Sequence, residues 1–546
     1  MKAKFLLAAL LAGASIASVA QGYKDGIDFF KIGEYENAKT ILDNNIATAS
    51  NKAEAYYYYG QIALSQKDKN VSEAKSYFDK GVAANAQYPY NYVGQGAVAL
   101  LNGNKSAAED LFKQARKLSK KDPALEVAIG RAYLEANPTT YAKDIQKCIE
   151  KARKYDKNSP EPYILEGDIS MAQQDYGNAM GKYEMAMSYD PANIESTVKY
   201  SDSYYRVNPE LALEKLREII KAQPNSALVQ RQLAMKLYDH GDFSDAATTY
   251  GNFVKTSANH FPQDEARFAQ LLFTKRQYKQ AYDVASSLES SLQPGEDYYI
   301  AALRLQLYSL AEQHRWAPAS EKGAQLFNAA QGKEKDNLYL RDYIYYAKVL
   351  DANNEPEKAI QYYTKAIEQN PGELSLARSL VDQYLKAKKY EQAIDFANKV
   401  IANEKHEGSD LHKLAQVYTG MATDTALTNA VRVDAIQKAI DQEKVAINAE
   451  PENITYLSNL AYLQQIFKKD ADAVQTLNKL VDVIKAKSAG NISGNNKQFL
   501  AYAYNVMFAY YYKAKNVEKC KEIATDWHQL LPDDATATQY FNALNK

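Results

Sequence analysis

Histidine, cysteine and paired acidic residues are the side chains of this sequence that could perform chemistry. There is no H-E-x-x-H motif, no C-x-x-C pair, no glycine-rich phosphate loop and no nucleophile elbow. Adjacent acids such as Asp533 and Asp534 fall at predicted helix starts, where carboxylates interact favourably with the helix dipole. The six histidines are scattered at spacings that do not suit a metal ion: His240, His260, His314, His406, His412 and His528. The sequence therefore predicts no catalytic site, no metal and no cofactor.

The two cysteines are predicted to be buried thiols. Cys148 and Cys520 lie far apart, and both fall on the apolar face of a predicted helix. In a linear array of repeats, residues so distant rarely meet, which argues against a disulfide between them.

Charge and aromatic content restrict the partners. The chain has 66 Lys and Arg against 67 Asp and Glu, a net charge of -1. Nucleic-acid binding needs a basic stripe, so we expect no nucleic acid among the partners. Tyrosine is abundant, with 44 residues against 16 Phe. Because tyrosine buries a ring and keeps a polar tip, this excess suits packing positions beside water and solvent-lined grooves.

The first twenty residues have the pattern of a secretory signal peptide. Lys2 and Lys4 form a basic start, residues 5–11 are apolar, and Ser18-Val19-Ala20 is a small-x-small cleavage site. The apolar part is too short to span a bilayer permanently, and no later segment is apolar enough to do so. We therefore expect an exported protein of the periplasm or the periphery of the outer membrane, without a transmembrane segment.

Residues 340–371, LRDYIYYAKVLDANNEPEKAIQYYTKAIEQNP, predict two amphipathic helices folded against each other. Apolar residues recur at helical spacing on both sides of the turn-forming stretch DANNEP. The second helix ends before Pro371, because a proline disfavours the helical conformation of the residue that precedes it. Ala347 and Ala359 are predicted to lie where the helices cross, since only short side chains allow so close an approach.

This pattern recurs along almost the whole chain. Successive crossing residues of the first helices are 33 to 40 residues apart, apart from the last two intervals of 46 and 47: Gly26, Gly60, Gly96, Gly130, Gly167, Ser201, Ala234, Ala269, Leu307, Ala347, Val381, Ala415, Ala461 and Phe508. About twelve residues later most units have an alanine in the second helix: Ala38, Ala74, Ala108, Ala179, Ala212, Ala246, Ala281, Ala319, Ala359, Ala393, Ala439 and Ala473. Ile145 and Cys520 take that position in the two other units. A single hairpin has too little core to be stable alone, so the units must stack.

The period and the order Gly/Ala, Tyr, Ala, Tyr/Phe, Ala, Pro closely resemble the tetratricopeptide-repeat (TPR) family. The resemblance implies an all-α, right-handed superhelical solenoid of about fourteen helix-turn-helix repeats with a C-terminal capping helix. We expect a signal peptide at 1–20, an N-terminal array at 21–258 and degenerate units at 259–333. A C-terminal array at 334–486 carries an insertion at 423–434, which we interpret as a lengthened first helix or a surface loop. A flexible loop at 487–497 and a last hairpin with its cap at 498–546 follow.

In this family the first helices line the concave surface of the solenoid. Residues within one turn of the crossing position are then expected to face a binding groove, and several of them are Tyr or Arg, including Tyr57, Arg131, Tyr205, Tyr462 and Tyr512. The groove residues we favour are Arg231, Tyr238, Arg304, Tyr308, Arg341, Lys348 and Arg378. Packing between neighbouring helices is an equally weighted alternative role for several of them.

The carboxylate clamp of chaperone-binding relatives is not expected here. Those relatives use a lysine with an asparagine four residues later, whereas the corresponding pairs in this chain are Ile164/Asp168, Val198/Asp202 and Ile344/Lys348. The sequence favours a non-catalytic scaffold or assembly factor that binds other proteins, with components of a cell-envelope complex as expected partners. The alternatives are a glycan- or peptidoglycan-binding envelope protein and, less favoured, an enzyme. The oligomeric state is left open.

Overall fold

A computed structural model describes residues 23–66, 68–222, 224, 226–257, 261–331, 338–488, 492 and 494–544. The predicted signal peptide lies outside these ranges, as do residues 489–491 and 493 of the predicted loop. Within the described ranges the regular structure is entirely helical. Helices α1 to α29 form fourteen consecutive pairs followed by one single helix, which confirms the all-α repeat solenoid and the number of units. The predicted handedness and domain limits stay predictions.

The chain divides into two compact units, Met1–Leu305 and Gln306–Lys546, with the boundary inside α17. The helices up to that boundary are α1 (23–31), α2 (Tyr35–Asn45), α3 (Lys52–Ser65), α4 (Val71–Ala84), α5 (Tyr90–Leu101), α6 (Lys105–Leu118), α7 (Pro123–Ala136), α8 (Ala142–Tyr155), α9 (Glu161–Ala172), α10 (Tyr176–Tyr189), α11 (Ile194–Tyr205), α12 (Pro209–Ala222), α13 (Ala227–His240), α14 (Phe243–Thr256), α15 (Pro262–Thr274), α16 (Tyr278–Ser291) and α17 (Tyr299–Glu312).

The second unit continues from α17 with the helices α18 (Trp316–Ala329), α19 (Leu340–Ala352), α20 (Pro356–Gln369), α21 (Leu374–Lys386), α22 (Tyr390–Ile401), α23 (Gly408–Thr423), α24 (Asn429–Ala449), α25 (Ile454–Ile466), α26 (Asp470–Ser488), α27 (Asn495–Lys513), α28 (Val517–Leu530) and α29 (Ala535–Leu544). Odd-numbered helices up to α27 are the first helices of hairpins, and even-numbered helices are the second.

The helix crossing in each hairpin is built as predicted. All fourteen crossing residues are buried, and the twelve alanines of the second helices have no exposed surface. The reason for small residues is visible at Gly60, where an added Cβ would lie 2.3 Å from the ring of Phe78. Gly167 faces Tyr183 at the same distance. The aromatic ring of the second helix thus fills the space that a larger crossing residue would need.

The turn between the two helices is also repeated. Gly103 and Lys388 occupy equivalent positions and have φ angles of 76° and 55°. In the second case the amide of Lys388 donates to the carbonyl of Leu385, and that of Lys389 donates to the carbonyl of Tyr384 at 2.8 Å. These bonds satisfy the last carbonyls of the first helix and reverse the chain within a few residues, as in a Schellman motif.

The irregular segments of the second unit differ in part from expectation. Of the predicted insertion 423–434, only residues 424–428 lie between helices. Residues 429–434 extend α24, the second helix of its hairpin, rather than the first. The predicted loop 487–497 is shorter than expected, since α26 continues to Ser488 and α27 begins at Asn495. The cap is α29, whose Tyr540 stacks on Phe508 with ring centroids 4.1 Å apart.

Within the first unit, hairpin 1 packs against hairpin 7. Phe29 of α1 meets Phe261 edge to face at 5.4 Å, and Leu228 of α13 joins the apolar cluster of the first hairpins. Glu34, between α1 and α2, accepts hydrogen bonds from Arg231 and Gln232 of α13. The first seven hairpins therefore close on themselves, a contact between residues about 200 positions apart in sequence.

The cysteines are as predicted. Cys148 on α8 and Cys520 on α28 are both buried and free. Burial raises the pKa of the Cys148 thiol to about 12, which keeps the sulfur protonated and unreactive at neutral pH.

Replacing Ala359 by leucine should destabilise the second unit. Ala359 is fully buried at the crossing of α19 and α20, so three extra heavy atoms must displace packed neighbours. We expect a loss of about 1–3 kcal/mol of unfolding free energy, measured by urea unfolding followed by circular dichroism. Gln361→Leu is the control, because Gln361 is exposed on the same helix. Equal midpoints for Ala359→Leu and the wild type would show that the crossing is wrongly assigned.

Candidate functional site

Arg231, a predicted groove residue, is buried inside the first unit. Its side chain has no exposed surface, and its Nε donates to both carboxylate oxygens of Asp264 at 2.9 and 3.0 Å. It also pairs with Glu34 and lies between the rings of Phe29 and Phe261. Burial alone would lower the pKa of Arg231, but the two carboxylates outweigh it and raise that pKa. Arg231 therefore joins hairpins 1, 7 and 8 and is not available to a partner.

Tyr308 has the same kind of role in the second unit. It is 4% exposed, and its hydroxyl donates to Oδ1 of Asp342 at 2.7 Å. The other carboxylate oxygen of Asp342 accepts from the backbone amide of Tyr339 at 2.8 Å and so caps α19. The ring of Tyr308 stacks on Tyr345 with centroids 4.3 Å apart. Tyr308 is thus buried and supports the ring of Tyr345.

Arg378 forms a third joint of this type. Its Nε and Nη2 donate to the two oxygens of Asp410 at 2.7 and 2.8 Å. Asp410 also accepts from the amide of Glu407 and caps α23. Burial alone would raise the pKa of Asp410, but these hydrogen bonds outweigh it and lower that pKa. The side chain of Arg378 is one-third exposed, but its Nε and Nη2 are already hydrogen-bonded to Asp410.

The acidic partners of these three residues are not among the predicted site residues. Asp264, Asp342 and Asp410 are each the third residue of a first helix, and each caps that helix while accepting from the preceding hairpin. The signal was present in the sequence, because each aspartate follows its partner by 32 to 34 residues. An aspartate at a helix start is expected to interact with the helix dipole. Its hydrogen bond with a side chain of the preceding hairpin is an additional role.

Tyr238 and Arg304 belong to the first unit and are partly buried. The ring of Tyr238 meets Phe243 edge to face at 5.7 Å, and the guanidinium of Arg267 lies 5.6 Å from it. Tyr238 therefore packs within its own hairpin and against the next one. Arg304 lies on α17, three residues before the crossing residue Leu307.

Three side chains of α19 in the second unit form a group at the surface, which we call the α19 cluster: the exposed Arg341 and Lys348 and the half-buried Tyr345. The guanidinium of Arg341 lies 5.1 Å from the ring of Tyr308 and 5.3 Å from that of Tyr345. The hydroxyl of Tyr345 donates to Glu312. Arg341 and Lys348 were both predicted groove residues, and both are exposed.

Ion pairs join three successive first helices of the first unit, α7, α9 and α11. Arg131, another expected groove residue, donates to Glu195 at 2.6 Å, and Lys199 bonds to Glu195 at 2.9 Å and to Asp168 at 2.7 Å. Burial alone would raise the pKa of Glu195, but Arg131 and Lys199 lower it to about 2. These charges satisfy one another across hairpins 4, 5 and 6, so they offer little to a partner.

One histidine occupies an equivalent joint. His412 lies three residues before its crossing residue, as Arg231 and Arg378 do. Its Nδ1 is 2.8 Å from Glu443, a fully buried carboxylate of α24, and its ring stacks on Tyr456 at 4.6 Å. His412 thus links both helices of its hairpin to the next hairpin.

An open cleft of about 410 Å³ lies between α25 and α27 in the second unit. Tyr462 was among the broader set of expected groove residues, and its side chain is 47% exposed. The other lining residues were not singled out in the sequence. The lining consists of three aromatic residues and four uncharged polar ones: Tyr462, Phe499, Tyr502, Thr455, Ser458, Asn459 and Gln498.

The protein holds one of these side chains in place. The hydroxyl of Tyr502 accepts from Nε2 of Gln465 at 2.5 Å. Burial raises the pKa of Tyr502, so this hydroxyl stays protonated and can donate to a ligand. The amide nitrogen Nδ2 of Asn459 is buried without a hydrogen-bond partner. A buried donor in this state is costly unless a ligand supplies an acceptor.

Among the described residues, no three His, Cys, Asp or Glu side chains are arranged to hold a metal ion. None of the helices described is both long and apolar enough to cross a bilayer.

Comparison with known proteins identifies the repeat. Residues 352–417, from the end of α19 into α23, match the family model described as tetratricopeptide repeat. The same hairpin, with its buried small residues at the crossing, recurs throughout the described chain. Residues 352–417 are thus similar to a tetratricopeptide repeat, and the other described hairpins share the same geometry. Proteins built of these repeats are generally scaffolds for protein–protein interaction rather than enzymes, and this chain has the architecture of such a scaffold.

Individual relatives are distant. Tetratricopeptide repeat protein 21A of Homo sapiens is 30% identical over 196 residues, which are 33% of this chain and 14% of that protein. Among solved structures, the C-terminal part of a TPR repeat-containing protein from Cytophaga hutchinsonii is 18% identical with a TM-score of 0.40, covering 50% of this chain and 98% of that one. The APC/C hetero-tetramer Cut9-Hcn1 is 13% identical with a TM-score of 0.28, covering 90% and 96%.

The joint at Arg231 predicts a large loss of stability for Arg231→Ala. The substitution leaves Asp264 and Glu34 without their cation, and Asp264 is fully buried. We expect a loss of about 3–5 kcal/mol, measured as a shift of the urea midpoint. Arg217→Ala is the matched control, because Arg217 pairs with Asp245 at the surface, where an ion pair contributes about 0–1 kcal/mol. Similar midpoints for the two variants would contradict a structural role for Arg231.

Proposed function

We propose that this scaffold is exported and binds segments of partner proteins on the inward face of its first helices, in a complex of the bacterial cell envelope. The observation that carries the proposal is the α19 cluster. Arg341 and Lys348 are exposed to solvent, whereas the predicted groove residues Arg231 and Tyr308 are buried and Arg378 is one-third exposed.

The chemistry of the α19 cluster suits a partner segment with acidic and aromatic side chains. Arg341 lies over two tyrosine rings, which hold its guanidinium in place and reduce the entropy it loses on binding. Arginine and tyrosine are enriched among interface residues with large binding contributions. Lys348 adds a second positive charge about two helical turns away from Arg341, as a mobile ammonium group.

Capture of partners should depend on the α19 cluster. We expect Arg341→Ala combined with Lys348→Ala to reduce crosslinked partner recovered from envelope fractions by about tenfold or more, since two hot-spot side chains are lost. Recovery is quantified by mass spectrometry of proteins crosslinked to the tagged chain. The control is Lys358→Ala with Lys365→Ala, which removes the same charge from exposed positions of α20. Undiminished capture by the first pair, or an equal loss with the control pair, would refute the assignment.

Export should be accompanied by cleavage after Ala20. We expect the mature chain to begin at Gln21 and to fractionate with the periplasm or the outer membrane, because residues 1–20 have the signal-peptide pattern. The N-terminal peptide of the purified protein, determined by mass spectrometry, checks this. Ala20→Leu should block cleavage and accumulate the precursor, since the cleavage site requires a small residue. A cytoplasmic chain that retains Met1 would overturn the proposed location.

A further inference from the structure

The cleft between α25 and α27 lacks the aspartate that joins neighbouring hairpins at Arg231, Tyr308 and Arg378. Tyr462 follows the crossing residue Ala461 by one position, as Tyr308 follows Leu307. Ser458 precedes Ala461 by three positions, as Arg378 precedes Val381. In those other hairpins the next first helix supplies an aspartate as its third residue. The third residue of α27 is Lys497, and its N-cap Gly494 makes no side-chain capping bond. Because α27 contains no Asp or Glu, none of its side chains can replace that carboxylate beside Tyr462 and Ser458. Gln465 of α25 is hydrogen-bonded to Tyr502 of α27, but the cleft stays open beside that bond.

The lining of the cleft has an unusual composition for a protein that is 24% charged. It combines aromatic rings with hydroxyl and amide groups and contains no Lys, Arg, Asp, Glu or His. A charged side chain or a phosphate entering it would lose hydration without gaining a counter-charge. A neutral sugar ring suits it better, because its C–H face packs on an aromatic ring while its hydroxyls bond to amides and hydroxyls at the edge.

The hydrogen-bonding groups of the cleft fit such a ligand. Asn459 lines the cleft, and its Nδ2 is buried without a partner; a rotation of this side chain toward the cleft would let a sugar hydroxyl accept from Nδ2. The hydroxyl of Tyr502 accepts from Gln465 and keeps its own proton to donate. Because a sugar hydroxyl both donates and accepts, one class of ligand satisfies both groups. The volume of about 410 Å³ lies within the range of small-molecule sites.

We propose that the cleft between α25 and α27 binds a short neutral oligosaccharide, with Tyr462 as the stacking platform and Asn459 as the orienting donor. The inference does not depend on partner binding by the α19 cluster, which contributes no residue to the cleft. A scaffold with both sites would hold a protein partner and a polysaccharide at different places on one unit.

Isothermal titration of the full-length mature chain tests the site. The probes are maltotriose, cellotriose and tri-N-acetylchitotriose at millimolar concentration, with trigalacturonate as an anionic comparator and a capped, uncharged Ala/Asn peptide as a protein-like comparator. We expect at least one neutral trisaccharide to bind, and both comparators to bind at least about tenfold more weakly.

Variants separate a stacking contact from a general effect. Tyr462→Ala and Asn459→Ala should each weaken binding of that trisaccharide at least about fivefold, whereas Tyr462→Phe, which keeps the ring, should stay within about twofold. Tyr189→Ala is the control, because Tyr189 is 41% exposed on α10 of the first unit and does not line the cleft. Circular dichroism melts confirm that each variant is folded. The proposal is overturned if no neutral trisaccharide binds, if either comparator binds as tightly, or if Tyr189→Ala weakens binding as much as Tyr462→Ala.

Discussion

The close crossing of two helices within each hairpin is the constraint on which the rest of this structure depends. Where a glycine or alanine of the first helix faces an alanine of the second, the backbones approach until the ring of the second helix covers the gap, as Phe78 covers Gly60. A hairpin closed in this way buries only part of its apolar surface and must stack on its neighbours. The twelve fully buried alanines show how uniformly this geometry is kept.

Regular stacking brings a residue of one first helix beside the start of the next, and this decides which side chains remain available. Arg231, Tyr308 and Arg378 each meet an aspartate that also caps the following helix. One carboxylate thereby satisfies both the orphan amide of a helix start and a long side chain of the preceding hairpin. Arginine and tyrosine, which often contribute strongly to protein interfaces, here connect neighbouring hairpins of the same chain.

The division between what the sequence could and could not predict follows from this geometry. The crossing residues, the second-helix alanines and the two buried thiols were predictable, since each depends on spacing within one hairpin. The joint at Arg231 was not, because it requires knowing that Glu34 of hairpin 1 returns to hairpin 7. The exposure of Arg341 against the burial of Tyr308 depends on the partner of each side chain in the neighbouring hairpin, which residue type alone does not show.

The same reasoning explains why the open cleft lies near the end of the second unit. The interval between crossing residues lengthens from 34 at Ala347–Val381 to 47 at Ala461–Phe508. The extra residues lengthen α26 and α27 to 19 residues each. The first turns of α27 therefore project beyond the place where a shorter helix would begin with a capping aspartate. Gln498, Phe499 and Tyr502 on those turns then face α25 across open space. A tyrosine that is 4% exposed at position 308 is 47% exposed at the equivalent position 462. The longer interval thus leaves Tyr462 accessible at a position where Tyr308 is buried. The cleft between α25 and α27 therefore arises from a departure from the repeat.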